Sequence, residues 1–209
     1  MTGFFKKLAK TLGLAEDPFP QKKDINPAEV YFKPFEELRA LLVSWIEESR
    51  PQYAERQDYN PEKLGFELHD MGGSADVYVS PCKRFAIRVS RELWDYGYQH
   101  YLDIVLQRQN NPYFPKVYAV LQEGNRQVVL LEYLQAIDFD DPEYDEVDVI
   151  REDARVGKTG NPCPHMQELV RDLHGLLSGG VCRNDLYGDN ALLRRTGNGV
   201  QLVITDPVA

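Results

Sequence analysis

Cysteine is scarce and scattered: Cys82, Cys163 and Cys182 are the only three, and no two form a C-x-x-C pair. This excludes a disulfide framework and a thiolate zinc cage, and leaves buried or incidental thiols as the expected reading. Cys163 and His165 stand two apart beside Pro162 and Pro164, but two ligand types do not make a metal site. Long apolar runs are also missing. Nothing approaches the roughly 20 residues a membrane-spanning helix needs, and the lysines near the N-terminus are not followed by a signal-peptide core with a cleavage site. Positive charge is in deficit, with 24 Lys and Arg against 33 Asp and Glu and a formal net charge of −9, which argues against direct nucleic-acid binding. Internal repeats and low-complexity tracts are absent. Together these absences predict a soluble, cytoplasmic protein.

What is present suffices for a core. Hydrophobic residues make up 43% of 209, enough for one domain or two small lobes. Residues 1–14 place Phe4, Phe5, Leu8 and Leu12 at helical spacing with lysines opposite, predicting a short amphipathic helix. A stretch rich in proline and charge reads as a linker, and Phe35 to Glu48 has strong 3.6-residue periodicity, so the first 60 residues are expected to be a helical extension. From Phe66 the pattern changes to strands: two alternating segments around Gly72-Gly73, then the run KRFAIRVS. A helix is predicted over 94–107, although Gly97 weakens it, and the strands KVYAVLQ and RQVVLLEYL follow around the turn EGN. A lobe boundary falls near Leu134. The acidic segment 138–153 reads as a solvated loop or exposed helix. Residues 164–178 form an amphipathic helix begun by proline and ended by Gly179-Gly180. The remainder reads as a loop, a strand, a Gly-Asn-Gly turn and a second strand ending at Asp206.

Several of these segments carry groups that phosphoryl transfer from ATP requires: a phosphate cradle, a cation against the phosphates, oxygen ligands for Mg²⁺ and a carboxylate that orients the attacking hydroxyl. Asp185 and Asn190 lie five apart in N-D-L-Y-G-D-N, matching the D-x-x-x-x-N of a kinase catalytic loop. There the Asp meets the hydroxyl and the Asn holds metal. Asp206, after a hydrophobic strand, can return to the same metal. Gly72, Gly73 and Ser74 sit between two strands, where small residues let backbone N–H groups approach phosphate oxygens. Arg88 in F-A-I-R takes the place of the lysine in the strand motif V-A-I-K. V-V-L-L-E-Y-L resembles the hinge against which an adenine ring lies, with backbone groups near Glu132 and Leu134 as its partners. The carboxylate that pairs with Arg88 is Glu92 or Asp95, of which Asp95 is preferred.

The order G-G-S-A-x-x-Y, A-I-R-V, W-D-Y-G-x-x-x-Y, P-K-V-Y, L-L-E-Y-L, D-L-Y-G-D-N and I-T-D-P-V, over residues 64 to 209, resembles the early serine/threonine protein kinase of short-tailed bacteriophages. More distantly it is similar to the aminoglycoside phosphotransferases. The resemblance implies an α+β, minimal bilobal kinase-like fold: a helical extension at 1–60, a β-rich N-lobe at 61–134 and a short helical C-lobe at 135–209. It also implies ATP and Mg²⁺ as cofactors, and phosphorylation of host proteins, including transcription and RNA-processing machinery, in the host bacterial cytoplasm. Departures from the pattern matter. Arg88 stands where Lys is usual, and its bulkier planar head can bind phosphate while shifting the geometry. Arg183-Asn184 replaces the usual His-Arg, and Pro207-Val208 replaces Phe-Gly. The sequence ends three residues after Asp206, so no activation loop or helical substrate platform follows, and substrate recognition is expected to use other surfaces.

Two rival functions follow from the same residues. A catalytically dead kinase fold that binds and inhibits a host protein would keep its partner after loss of Asp185 and Asp206. A small-molecule phosphotransferase of the aminoglycoside kind would attract cationic substrates to an acidic site, but lacks the C-terminal helices. Gly157-Lys158-Thr159 is a chance tripeptide, because Glu152 occupies the position of the first P-loop glycine. His165 and His174 read as packing or surface residues.

Overall fold

The computed structural model describes residues 34–48, 61–90, 95–123, 126–138, 140–180, 182–197 and 199–209. The amphipathic segment expected at 1–14, the linker after it and Glu92 lie outside them. The described residues form an α+β fold with two antiparallel sheets and four α-helices.

The larger sheet has five strands: β1 (Glu67–Met71), β2 (Ala75–Val79), β3 (Phe85–Ser90), β4 (Val117–Glu123) and β5 (Arg126–Glu132). Their order is β1-β2-β3-β5-β4. The chain therefore leaves β3, makes a helix, arrives at the far edge as β4 and folds back as β5 between β4 and β3. Helix α1 (Phe35–Glu48) buries Leu38, Leu42 and Ile46, which share one stripe at i, i+4 and i+8, against Phe85, Ile87, Leu121, Val128 and Leu130 of the sheet. Burial of side chains of this size contributes about 1.5–3 kcal/mol each. The ring of Phe35 stacks on Phe85 with centroids 5.1 Å apart.

A second apolar cluster gathers three helices and a smaller sheet. Helix α2 (Tyr96–Gln107) supplies Tyr98, Tyr101, Leu102 and Val105; α3 (Pro142–Val156) supplies Val147, Ile150 and Ala154; α4 (Pro164–Ser178) supplies Met166, Leu169, Val170 and Leu173. The smaller sheet runs β6 (Gln135–Ala136), β7 (Ala191–Thr196) and β8 (Gly199–Ile204) in that order. The two clusters do not divide the chain at a single point. Residues 98–114 precede β4 and β5, yet their buried side chains pack with the later helices.

Several sequence expectations need correction in detail. The acidic segment is a helix that exposes Asp145, Asp148, Glu152 and Arg155, but Val147, Ile150 and Ala154 at i, i+3 and i+7 bury it against its neighbours. The last strand stops at Ile204, two residues before Asp206, because the chain then turns toward residues 183–185. Gly157, in the rejected tripeptide, ends α3 in the left-handed region at φ 70°. Among the described residues, no helix is long and apolar enough to cross a membrane.

Candidate functional site

A cavity of about 610 Å³ opens between the two sheets. One wall is the β1–β2 turn, Gly72 to Ser74; the inner wall runs from Arg88 and Ala86 of β3 to Leu131–Leu134; and the opposite wall is Asp185, Gly188 to Asn190, Leu192, Thr205 and Asp206. All ten residues singled out in the sequence border this cavity, except Asp95, which reaches it through Arg88.

Arg88 is the centre of the site. The sheet holds it in register between Val77 on β2 and Val129 on β5, and only 5% of its surface is exposed. Its Nη2 donates to Asp95 Oδ2 at 2.5 Å and to Asp206 Oδ2 at 3.2 Å. Its guanidinium carbon lies 3.5 Å from the centroid of the Tyr98 ring, within the range of a cation–π contact. Two carboxylates and a ring face thus hold a buried charge that would otherwise be costly. Its other terminal nitrogen, Nη1, is buried and has no hydrogen-bond partner among the described residues. A buried donor left in this state is expensive unless something else occupies it.

Asp95 is also the N-cap of α2, its Oδ1 accepting the Tyr98 N–H at 3.3 Å. One carboxylate therefore both starts the helix and fixes the arginine. Tyr98 was not anticipated. Its signal lay in the Asp95-x-x-Tyr98 spacing, which sets the ring one turn inside the cap.

On the opposite wall, Asp185 and Asn190 are joined directly. Asn190 Nδ2 donates to the Asp185 backbone carbonyl at 2.6 Å and to Asp185 Oδ2 at 3.3 Å, so the Asn190 side-chain oxygen is the atom that could ligate a metal. The Asn190 backbone carbonyl accepts from the Thr205 N–H at 2.9 Å and the Thr205 hydroxyl at 3.0 Å. Asp185 N–H donates to Pro207 O at 2.9 Å, and Asn184 forms a β-bridge with Val208. These bonds bring Asp185, Asn190 and Asp206 together from positions 21 residues apart in the chain (206 − 185). Gly188 passes close to α3: a Cβ there would stand 2.6 Å from the Tyr144 ring.

The Asp206 carboxyl is pushed up to about 6. Burial is the largest cause, Asp95 and Asp185 add negative potential, and Arg88 pulls the other way. About 35% of the side chain remains open on the cavity side. The site therefore carries one buried cationic group and more negative charge than that group satisfies.

The oxygens of Asp206 and Asn190 suit a hard cation such as Mg²⁺, which binds through one or two protein ligands plus waters and phosphate oxygens. Among the described residues, no three His, Cys, Asp or Glu side chains gather into a metal site of their own. The donor set thus fits a cation that arrives with a phosphate ligand rather than one held by protein alone.

Glu132 has a second occupation. Its side chain takes two hydrogen bonds from Arg194 of β7, one of them from Nε at 2.8 Å, and one from the Lys116 N–H at 2.7 Å. Its own N–H donates to Lys116 O at 3.0 Å. Gly72 and Gly73 do not need positive φ; a Cβ on Gly73 would meet nothing within 4 Å, so this corner of the cradle is open. Compared with known proteins, the chain matches no family model, and no curated protein is similar enough to count as a relative.

Proposed function

We propose that the protein is an ATP-dependent kinase of minimal bilobal, protein-kinase-like architecture that phosphorylates serine or threonine hydroxyls of host proteins. The observation that carries the reading is the Arg88 Nη1 group: a buried, unpartnered cationic donor at a 610 Å³ cavity whose far wall holds Asp185, Asn190 and Asp206. A phosphate oxygen is the partner that such a donor fits best. The sheet order, with one helix inserted between β3 and β4, supports the architecture, as does the short link from β5 to β6 past Glu132 and Leu134.

In this reading the adenine lies on Val79, Ala86, Leu131 and Leu192, all of which line the cavity, with the Glu132 carbonyl and the Leu134 N–H as its hydrogen-bond partners. Gly72, Gly73 and Ser74 cover the phosphates. Arg88 neutralises them, and Asp95 and Tyr98 keep its head in place. Asn190 and Asp206 would hold Mg²⁺, which screens phosphate charge when bound. Asp185 accepts the hydrogen bond of the acceptor hydroxyl and takes its proton. The hydroxyl oxygen forms a bond to the γ-phosphorus as the bond to the β–γ bridging oxygen breaks, and ADP leaves.

The test is transfer of label from γ-labelled ATP to proteins of a host lysate. Wild-type chain labels one or more bands, and Asp185→Ala lowers the rate by at least roughly a hundredfold. Equal labelling by the two chains would remove Asp185 from the chemistry and the reading with it.

A further inference from the structure

Helix α2 touches the chain on both sides of Asp206. Two residues before it, the Tyr101 hydroxyl donates to Ile204 O at 2.5 Å. Two and three residues after it, Val208 and Ala209 lie against Gly97. A Cβ built on Gly97 would stand 2.9 Å from Val208 O, closer than Cβ atoms come to other heavy atoms, and a tight 3.1 Å from both Cα and C of Ala209. Residues 97 and 101 are one turn apart on a single helix face. The same turn of α2 carries Asp95 and Tyr98, which grip Arg88.

Residues 207–209 are tied in turn to the loop that carries Asp185. Arg183 N–H donates to Ala209 O at 2.7 Å, Ala209 N–H to Arg183 O at 3.0 Å and Asp185 N–H to Pro207 O at 2.9 Å. Val208 is 3% exposed. One face of α2 thus abuts the chain on both sides of Asp206, and residues 207–209 connect it to the loop that carries Asp185. Glycine is a poor helix former, yet α2 buries one in its first turn, at the point where backbone must pass.

We propose that Gly97 is a positioning residue. Its bare Cα lets residues 207–209 seat against α2, and this seat, with Tyr101 on Ile204, holds the Asp206 carboxylate at Arg88 and the Asp185 backbone behind it. The consequence for phosphate transfer rests on the kinase reading; the packing does not.

Melting temperatures of four chains test the seat: wild type, Gly97→Ala, a chain lacking Val208 and Ala209, and the combination. Alanine is the better helix former, so a glycine with nothing to accommodate would gain about 2–4 °C on replacement. With the seat, Gly97→Ala lowers the melting temperature of the full chain by roughly 4 °C or more and does not lower that of the shortened chain, whose clash partners are gone. A full-length variant that fails to fold while the combination folds is the same result in stronger form. A gain in the full chain, or equal losses in both backgrounds, overturns the proposal.

Amide hydrogen exchange gives a second measurement on the full-length variant. Exchange at Arg183, Asp185 and Ala209 that is roughly tenfold faster or more supports the seat, and unchanged exchange refutes it. Binding of a fluorescent ATP analogue with Mg²⁺ then links seat to site. Folded Gly97→Ala is expected to bind roughly tenfold more weakly, and binding equal to wild type overturns the positioning role. A wild-type chain that binds no analogue overturns the kinase reading instead, and leaves the packing claim to the melting and exchange data.

Discussion

Asp206 is pulled in opposite directions by its neighbours, and the balance has a consequence for stability. An unfolded chain ionises this carboxyl near 3.8, whereas the folded chain keeps its proton until about 6. Below pH 4 both states are protonated and the group is neutral to stability. As pH rises from about 4 to 6, the unfolded state releases its proton first, so folding stability falls; above 6 the loss is constant. Asp206→Asn removes this penalty and keeps an oxygen for Arg88. The variant is expected to melt above wild type at pH 7.5, with the gap closing toward pH 4, and on the proposed kinase reading to lose phosphotransfer. A lower melting temperature at pH 7.5 would contradict the account. At this scale much was readable in advance. Asp185 and Asn190 follow from their five-residue spacing and Arg88 from its place in F-A-I-R, whereas Asp206 was placed by the strand before it and Asp95 was preferred over Glu92. Tyr98 under the guanidinium and the orphaned Nη1 were not readable, because both depend on which face of α2 meets the sheet.

Among the elements, an ion pair joins the two sheets. Arg194 of β7 binds both oxygens of Glu132 at the end of β5 and also donates to Pro112 O at 2.7 Å and Phe114 O at 2.9 Å. Both partners are largely enclosed, at 16% and 12% side-chain exposure. Replacing one member leaves the other charge buried without a counter-ion, so Arg194→Met is expected to cost ~3 kcal/mol in a denaturant titration. Glu132→Gln with Arg194→Met should recover part of that loss, because the uncompensated carboxylate is then gone. If the single and double variants are equally unstable, the pair does not act as an ion pair. Helix and strand placement was legible from periodicity: the Gly-Gly hairpin, the strand carrying Arg88 and the helix 164–178 stand where their patterns put them. The acidic segment was harder to judge, since charge density conceals a three-residue apolar stripe, and only packing against α4 reveals it. Arg194 gave no signal, as its partner lies 62 positions earlier.

Taken as a whole, the molecule places a cavity lined by both polar and apolar side chains between two apolar cores. A ligand that touches both walls must stabilise the pair of sheets together. ATP with Mg²⁺ at a hundred times its dissociation constant is expected to add about 2.7 kcal/mol, read as a rise of roughly 5–10 °C in melting temperature. Arg88→Met should abolish that rise if, as proposed, its cationic donor meets the phosphates. A rise that persists in Arg88→Met would move the nucleotide away from this cavity. Apolar periodicity along the chain was enough to determine that the protein is α+β, and local spacing was enough to nominate candidate site side chains, because both are short-range properties of consecutive residues. The tertiary structure alone decided that α2 packs with the later helices although it precedes β4 and β5, that Gly97 yields its space to residues 208 and 209, and that one arginine nitrogen is left buried and unpaired. Those features arise from contacts between segments a hundred residues apart, and no local pattern encodes which surfaces come to face each other.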